Sequence, residues 1–221
     1  SVGHERVQSA RESDEALGNE FAQDLVGDPD LEIDILSVST WTFNNMYATE
    51  TSRGRVFCMG DAIHRHPPSN GLGSNTSIQD GFNLAWKLAH VIKGQAGIGL
   101  LESYSAERAP IARQIVTRAN QSIAEFGPIF EALGMDGGVD HDKIQKNMEA
   151  RADAKQAAET QREALRKAIA FKKYEFDAHG VEMNQRYASG AVASDGQREP
   201  AFEKDRELHY APTTWPGARL P

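Results

Sequence analysis

Cysteine is nearly absent. Cys58 stands alone in 221 residues, which excludes an internal disulfide and a cysteine-based zinc site and fits a reducing cytoplasm. Long apolar runs are missing too: stretches such as Ile98 to Leu101 fall far short of the ~20 residues of a spanning helix, so a soluble chain without a membrane segment is expected. Positive charge is in deficit, with 24 Lys and Arg against 32 Asp and Glu, a net of −8. An acidic surface repels phosphate backbones and disfavours nucleic acid as a partner, although helix N-termini can still hold a nucleotide cofactor. At 39% hydrophobic the chain can build a core and is not disordered. It opens on Ser1 rather than Met and ends on a turn-rich Trp215–Pro221 stretch, so we read it as an internal piece of a longer polypeptide.

The apolar spacing predicts a helix over 10–26, ended by Gly27 and Pro29, then a strand in which Leu31, Ile33 and Ile35 alternate with Glu32 and Asp34. Val38 to Tyr47 continues as extended chain, and Arg55 to Met59 reads as a buried central strand. After a Pro- and Gly-rich loop, Thr76 and Gln79 have capping-box spacing for a helix whose inner face is Ile78, Phe82, Ala85, Ala89 and Ile92. A second helix is expected over 100–124, stepping at Pro110, and a long exposed one from His141 to Tyr174. From Phe176 onward the composition is that of a loop-rich extension that packs on the body and leads out of it. The expected class is α/β.

The chemistry concentrates in Gly54 to Ala89: strand, Gly60–Asp61, the proline pair Pro67–Pro68, a glycine-spaced turn, helix. Asp61 would sit at the carboxyl end of a strand, where open α/β sheets bind ligands, and could accept hydrogen bonds from ribose or ribityl hydroxyls. Gly71 and Gly73 would let the backbone approach a flat ligand. The amides of Ser74, Asn75 and Thr76 would then meet at a helix N-terminus suited to a phosphate or a delocalised anion. Taken singly, Asp61 as a turn residue and the glycines as a plain loop are the plainer readings. No GxGxxG follows a strand anywhere in the chain, so this is not a Rossmann phosphate turn.

Taken as one string, RVFCMGDAIHRHPPSNGLGSN resembles the second FAD-binding motif of the single-component aromatic hydroxylases, the flavoprotein monooxygenases of the p-hydroxybenzoate hydroxylase and phenol hydroxylase type, and lies closest to their chlorophenol-hydroxylating branch. The helix DGFNLAWKLA, the stretch SYSAERAPIA from Ser103, and GVEMNQRY and TTWPGARLP in the tail extend the likeness to most of the chain after Trp41. The resemblance implies hydroxylation of a phenol to a catechol with FAD, NADPH and O₂ by a cytoplasmic homo-oligomer, a dimer or tetramer of the full-length parent. The substrate would be a chlorophenol first, and otherwise another ring such as an unsubstituted phenol, resorcinol or a phenylpropionate. By position the resemblance gives Asp61 to the flavin ribityl chain, with Gly60 before it also binding the cofactor, Gly71, Leu72, Gly73, Ser74 and Asn75 to the loop beside the isoalloxazine ring, and Pro68 to the ring edge next to the substrate. Trp41 and Tyr47, alternating with Phe43 and Asn45 along one extended face, are candidate substrate contacts.

The family's glycine fingerprint for the ADP half of FAD would lie upstream of Ser1, and a thioredoxin-like domain beyond Pro221. The expected organisation is therefore the end of a substrate domain over 1–50, the second half of a p-hydroxybenzoate hydroxylase-like FAD domain over 51–130, a helical segment over 131–175 and the extension over 176–221. As a separate piece it would be inactive, or would serve as an assembly module. His64 and His66 make a poor metal site without a third ligand and read, like His4, His90, His141, His179 and His209, as packing or hydrogen-bonding residues. Cys58 reads as a small buried hydrophobe. No residue stands out as the base that ionises the phenol.

Overall fold

The computed structural model describes residues 17–37, 39, 42–135, 141–152 and 156–221. Trp41 lies outside them. The chain divides into two units, Ser1–Thr42 and Phe43–Pro221. In the first, a helix over residues 17–26 (α1) stops where Gly27 turns to φ +77 and its N–H returns to the Gln23 carbonyl at 2.8 Å. The strand expected over Leu31–Ile35 does not form: Ile33 and Ile35 keep the half-buried positions of the alternation, but no described residue pairs with them. Alternation specifies a face, and a neighbour is needed to make it a sheet.

The second unit begins with two short antiparallel ribbons. β1 (Met46–Tyr47) pairs with β4 (His64–Arg65), placing Tyr47 opposite His64, and β2 (Ser52–Arg53) pairs with β3 (Val56–Phe57). The expected central strand is thus a two-residue ribbon around Gly54, whose φ of +61 favours glycine, and Val56 is 64% exposed. No parallel sheet exists among the described residues.

Helices carry the rest. α2 (Gly73–Ile92) and α3 (Glu102–Ala124) are joined through Gly94 and a 3₁₀ turn at Ile98–Leu101. α3 runs through Pro110 as one element, without the step expected there. Short α4 (Gly127–Leu133) packs with α5 (His141–Ala152) and α6 (Gln156–Phe171), so the segment expected as one long helix folds as helices that pack on one another. α7 (Lys173–Phe176) and α8 (His179–Met183) lead into the tail.

The apolar core centres on α3, where Ile111 and Ile115 meet Leu72 from the loop and Val181 from α8, with Tyr187 and Ala178 packed alongside. The extension over 176–221 therefore helps close the core. Gly180 fits against the Arg206 carbonyl, where a Cβ would come within 2.1 Å of the oxygen.

α2 overturns the expected burial. Its apolar stripe faces outward, with Ile78 70% and Phe82 77% exposed, while Thr76, Asp80, Asn83 and Lys87 are buried with Leu84. Those polar residues recur at spacings of four, three and four, so they too form one helical face, and this is the face turned to α3. Hydrophobic periodicity marks a surface that wants cover; it does not say that a richer set of partners is absent from the other side.

Candidate functional site

The loop from Gly60 to Gly73 is built on α2 and α3. Gly60 (φ +62) opens a 3₁₀ turn, Gly60–Ala62, in a backbone conformation that disfavours a side chain, and a Cβ there would lie 3.1 Å from Ser77 Oγ. Asp61 follows with an exposed side chain, while its carbonyl accepts a hydrogen bond from Arg65 Nε at 3.2 Å. His66 contacts the Pro67 carbonyl through Nδ1 at 2.6 Å and stacks on His64 with centroids 6.1 Å apart. Pro68 is exposed and starts a second 3₁₀ turn, Ser69–Gly71, in which Asn70 holds φ +67. Asn70 is kept in that left-handed conformation by donating to the backbone carbonyls of Tyr174 and Glu175, at 2.7 and 3.2 Å.

The helix start differs from the capping-box expectation. α2 begins at Gly73 with Leu72 at its N-cap, and Thr76 is already inside it, its N–H bonded to the Leu72 carbonyl at 2.8 Å. The amides presented at the N-terminus therefore shift to Gly73, Ser74 and Asn75. Thr76 leaves that set. Gly71 (φ +62) needs glycine for its conformation, whereas Gly73 is helical and its Cβ position faces the His66 ring at 3.6 Å. Leu72 is buried in the core, so of the loop residues proposed to line a flavin its contribution is to anchor the turn. Ser74 and Asn75 are exposed, with the Asn75 amide donating to the Gly71 carbonyl at 3.0 Å.

Beneath the loop lies a buried polar cluster that periodicity did not reveal. Asp80 Oδ1 accepts from Arg108 Nε at 2.7 Å, and Oδ2 contacts His64 Nε2 at 2.9 Å and the Gly60 N–H at 3.2 Å. A carboxylate can only accept, so Nε2 carries the shared proton and the Nδ1 of His64 is left buried without a partner. Arg108, fully buried, also donates to Gln185 Oε1 at 3.1 Å and to the Tyr187 hydroxyl at 2.9 Å. Next to it, Glu107 Oε2 takes Lys87 Nζ at 2.6 Å and the Asn83 amide at 2.7 Å, and Oε1 takes the Ser189 hydroxyl at 2.6 Å.

Burial alone would raise the Asp80 and Glu107 carboxyls. The hydrogen bond to His64 and the Arg108 guanidinium outweigh it at Asp80, and the bonds from Asn83, Lys87 and Ser189 outweigh it at Glu107, so both stay below the usual carboxylate range. Burial pushes Lys87 down against the pull of Glu107. Tyr104, whose hydroxyl donates to the Cys58 carbonyl at 2.8 Å, is pushed far up by burial and then by the Asp80 charge. Cys58 itself is half-buried, less enclosed than a central strand would make it.

The signal for this cluster was present in DGFNLAWKLA and SAERAP, as an acid and a base on one helix with the complementary base and acid adjacent on the next. Tyr47 is exposed on β1 next to the loop. Among the described residues no group of three His, Cys, Asp or Glu is placed to hold a metal.

Residues 3–119 match the FAD binding domain family. The chain belongs to this FAD-binding domain family. Over 99% of its length it is 50% identical to a 2,4-dichlorophenol 6-monooxygenase from Delftia acidovorans, covering 37% of that protein, and over 94% it is 53% identical to a phenol 2-monooxygenase from Pseudomonas sp. strain EST1001, covering 34%. A crystal structure of the flavin-dependent monooxygenase PieE in complex with FAD and substrate superposes with a TM-score of 0.83 at 44% identity, over 90% of this chain and 34% of PieE. The chain thus spans about a third of the length of the relatives it matches.

Proposed function

We propose that the polypeptide carrying this chain hydroxylates a phenol, with chlorophenols foremost, at the ortho position. One phenol, NADPH, a proton and O₂ give a catechol, NADP⁺ and water. The observation that carries the reading is one loop in which the open Asp61 carboxylate and the α2 N-terminus stand together, in a chain that keeps half its residues in common with a dichlorophenol and a phenol monooxygenase along nearly its whole length.

The residues fit FAD. Asp61 would accept hydrogen bonds from the ribityl hydroxyls, and the Gly73, Ser74 and Asn75 amides would face the pyrimidine edge, where their dipoles favour negative charge. When bound and reduced by NADPH, FAD supplies the electrons that split O₂. Pro68 and Tyr47, both exposed beside the loop, would lie toward the substrate, and Trp41 is kept as a further candidate. His64 is committed to Asp80 and so is not placed to act as the phenol-ionising base. This reading places the enzyme in the cytoplasm as a homo-oligomer, with FAD affinity and turnover belonging to the whole polypeptide rather than to these 221 residues.

Asp61→Ala in that polypeptide should weaken FAD binding about tenfold to a hundredfold, the worth of hydrogen bonds to a charged acceptor. Flavin titration beside a melting curve tests it. A variant with unchanged FAD affinity and a lowered melting temperature would make Asp61 a turn residue and remove this site. Substrate-independent NADPH consumption without catechol formation would remove the reaction.

A further inference from the structure

We propose that Asp80 is a positioning residue for the flavin-facing turn, holding the Gly60–Asp61 backbone through the Gly60 N–H and so fixing where the Asp61 carboxylate stands. The inference rests on the reading of Asp61 above. Asp80 lies on α2, twenty residues from Gly60, and it is buried to 1% exposure. A buried carboxylate has acceptor capacity that must be filled, and here two of the three described donors to it, Gly60 N–H and His64 Nε2, belong to the turn and its following strand. Gly60 N–H ties down the residue immediately before Asp61, and His64 Nε2 ties down the strand β4 that follows the turn. The loop is therefore gripped on both sides of Asp61 by one side chain.

Arg108 sets the orientation of that carboxylate. Its Nε holds Oδ1, which leaves Oδ2 for Gly60 and His64, and its other nitrogens reach Gln185 and Tyr187. Gln185 Nε2 in turn donates to Gln79 Oε1 at 2.9 Å, one residue before Asp80 on α2. The extension after α8 is thus wired to the turn through two helices. Neither Asp80 nor Arg108 is exposed to a ligand, so any effect on a flavin is transmitted through Gly60 and Asp61.

Asp80→Asn makes the cleanest perturbation. With its amide oxygen retained by Arg108, the NH₂ would face the Gly60 N–H donor against donor, while His64 can accept through Nε2 by carrying its proton on Nδ1, so the hold on Gly60 is lost while the shape is kept. In the full polypeptide carrying this chain, Asp80→Asn should weaken FAD binding at least about tenfold and alter the visible circular dichroism of the bound flavin. In an Asp61→Ala background the same change should add less than about twofold, because it acts through the carboxylate already removed.

Should Asp80→Asn leave Arg108 uncompensated and fail to fold, Asp80→Leu with Arg108→Met removes both buried charges together, which buried ion pairs tolerate, and should show the same loss of FAD affinity. Additive effects of Asp80→Asn and Asp61→Ala, or a lowered melting temperature with FAD affinity and flavin dichroism unchanged, would overturn the inference. If Asp61→Ala alone keeps full FAD affinity, the parent reading falls and this one with it; additivity sinks this one alone.

Discussion

Two clusters of opposite charge in this chain use the same residue types in opposite settings. Between α2 and α3, Asp80 with Arg108 and Glu107 with Lys87 are sealed from water, each charge meeting its partner at 2.6 to 2.7 Å with further hydrogen bonds on the remaining atoms. On α6, Glu159 meets Arg162 at 2.6 Å and Arg166 at 2.9 Å, and Arg166 reaches Glu163 at 3.4 Å, all on a helix surface in contact with solvent. The distances are nearly alike. What differs is the consequence of losing a partner: a sealed charge has no water to fall back on, whereas an exposed one is rehydrated at once. The buried pairs therefore specify how α2 lies on α3, and the exposed ones decorate a helix that other forces hold.

Breaking the buried cluster should give the largest effect. Arg108→Ala strands Asp80, opens the contacts to Gln185 and Tyr187 and should cost about 3 to 5 kcal/mol of stability. Denaturant melts of the full polypeptide check this. A loss no larger than that of an exposed arginine would mean that water reaches the cluster and that the contrast with α6 is empty.

How far the sequence speaks follows from the same contrast. The loop chemistry was legible because glycines and prolines constrain backbone directly: Gly60 and Gly71 adopt positive φ, and Gly94 ends the run between α2 and α3. The extent of α3 was legible as well, but the step at Pro110 was not borne out, since Pro110 lies on the exposed side, where a missing N–H does least harm. The burial of α2 was not. An apolar stripe and a polar stripe of equal regularity compete for one interface, and the choice is made by Glu107 and Arg108, residues two dozen positions away. Nor were the ribbons legible, because a run such as Arg55 to Met59 states its appetite for burial without naming its neighbours.

A titration sharpens the comparison next. Asp80 and Glu107 have folded pKa values below their ordinary ones, so folding releases protons and the stability they contribute is fully present above the unfolded carboxylate range. That contribution is lost as pH falls from about 4.5 through the lowered folded values. Melting temperature should therefore drop steeply on the acid side, and Glu107→Gln should lower stability at neutral pH while flattening that acid limb. An acid limb of the same slope in Glu107→Gln would show that other carboxylates govern it.

The smallest effect belongs to the exposed cluster. The Arg166 and Arg162 hydrogen bonds hold the Glu159 carboxyl below its usual value, which by itself would suggest a stabilising network. Its surroundings argue otherwise. Glu159 and both arginines lie on α6 at one-turn or two-turn spacing, the Glu159 and Arg166 charges are hydrated in the folded and unfolded chain alike, and long side chains must be ordered to make each contact. Salt at physiological strength screens what remains within about 8 Å. Glu159→Gln should thus leave the melting temperature at neutral pH unchanged within experimental error, with any small loss seen at low ionic strength disappearing as salt is added. Arg108→Ala should keep its penalty at every salt concentration, because its partners are enclosed by protein rather than electrolyte. A Glu159→Gln variant that melted as early as Arg108→Ala in physiological salt would show that α6 is held by its charges after all, and that burial is not what separates the two clusters.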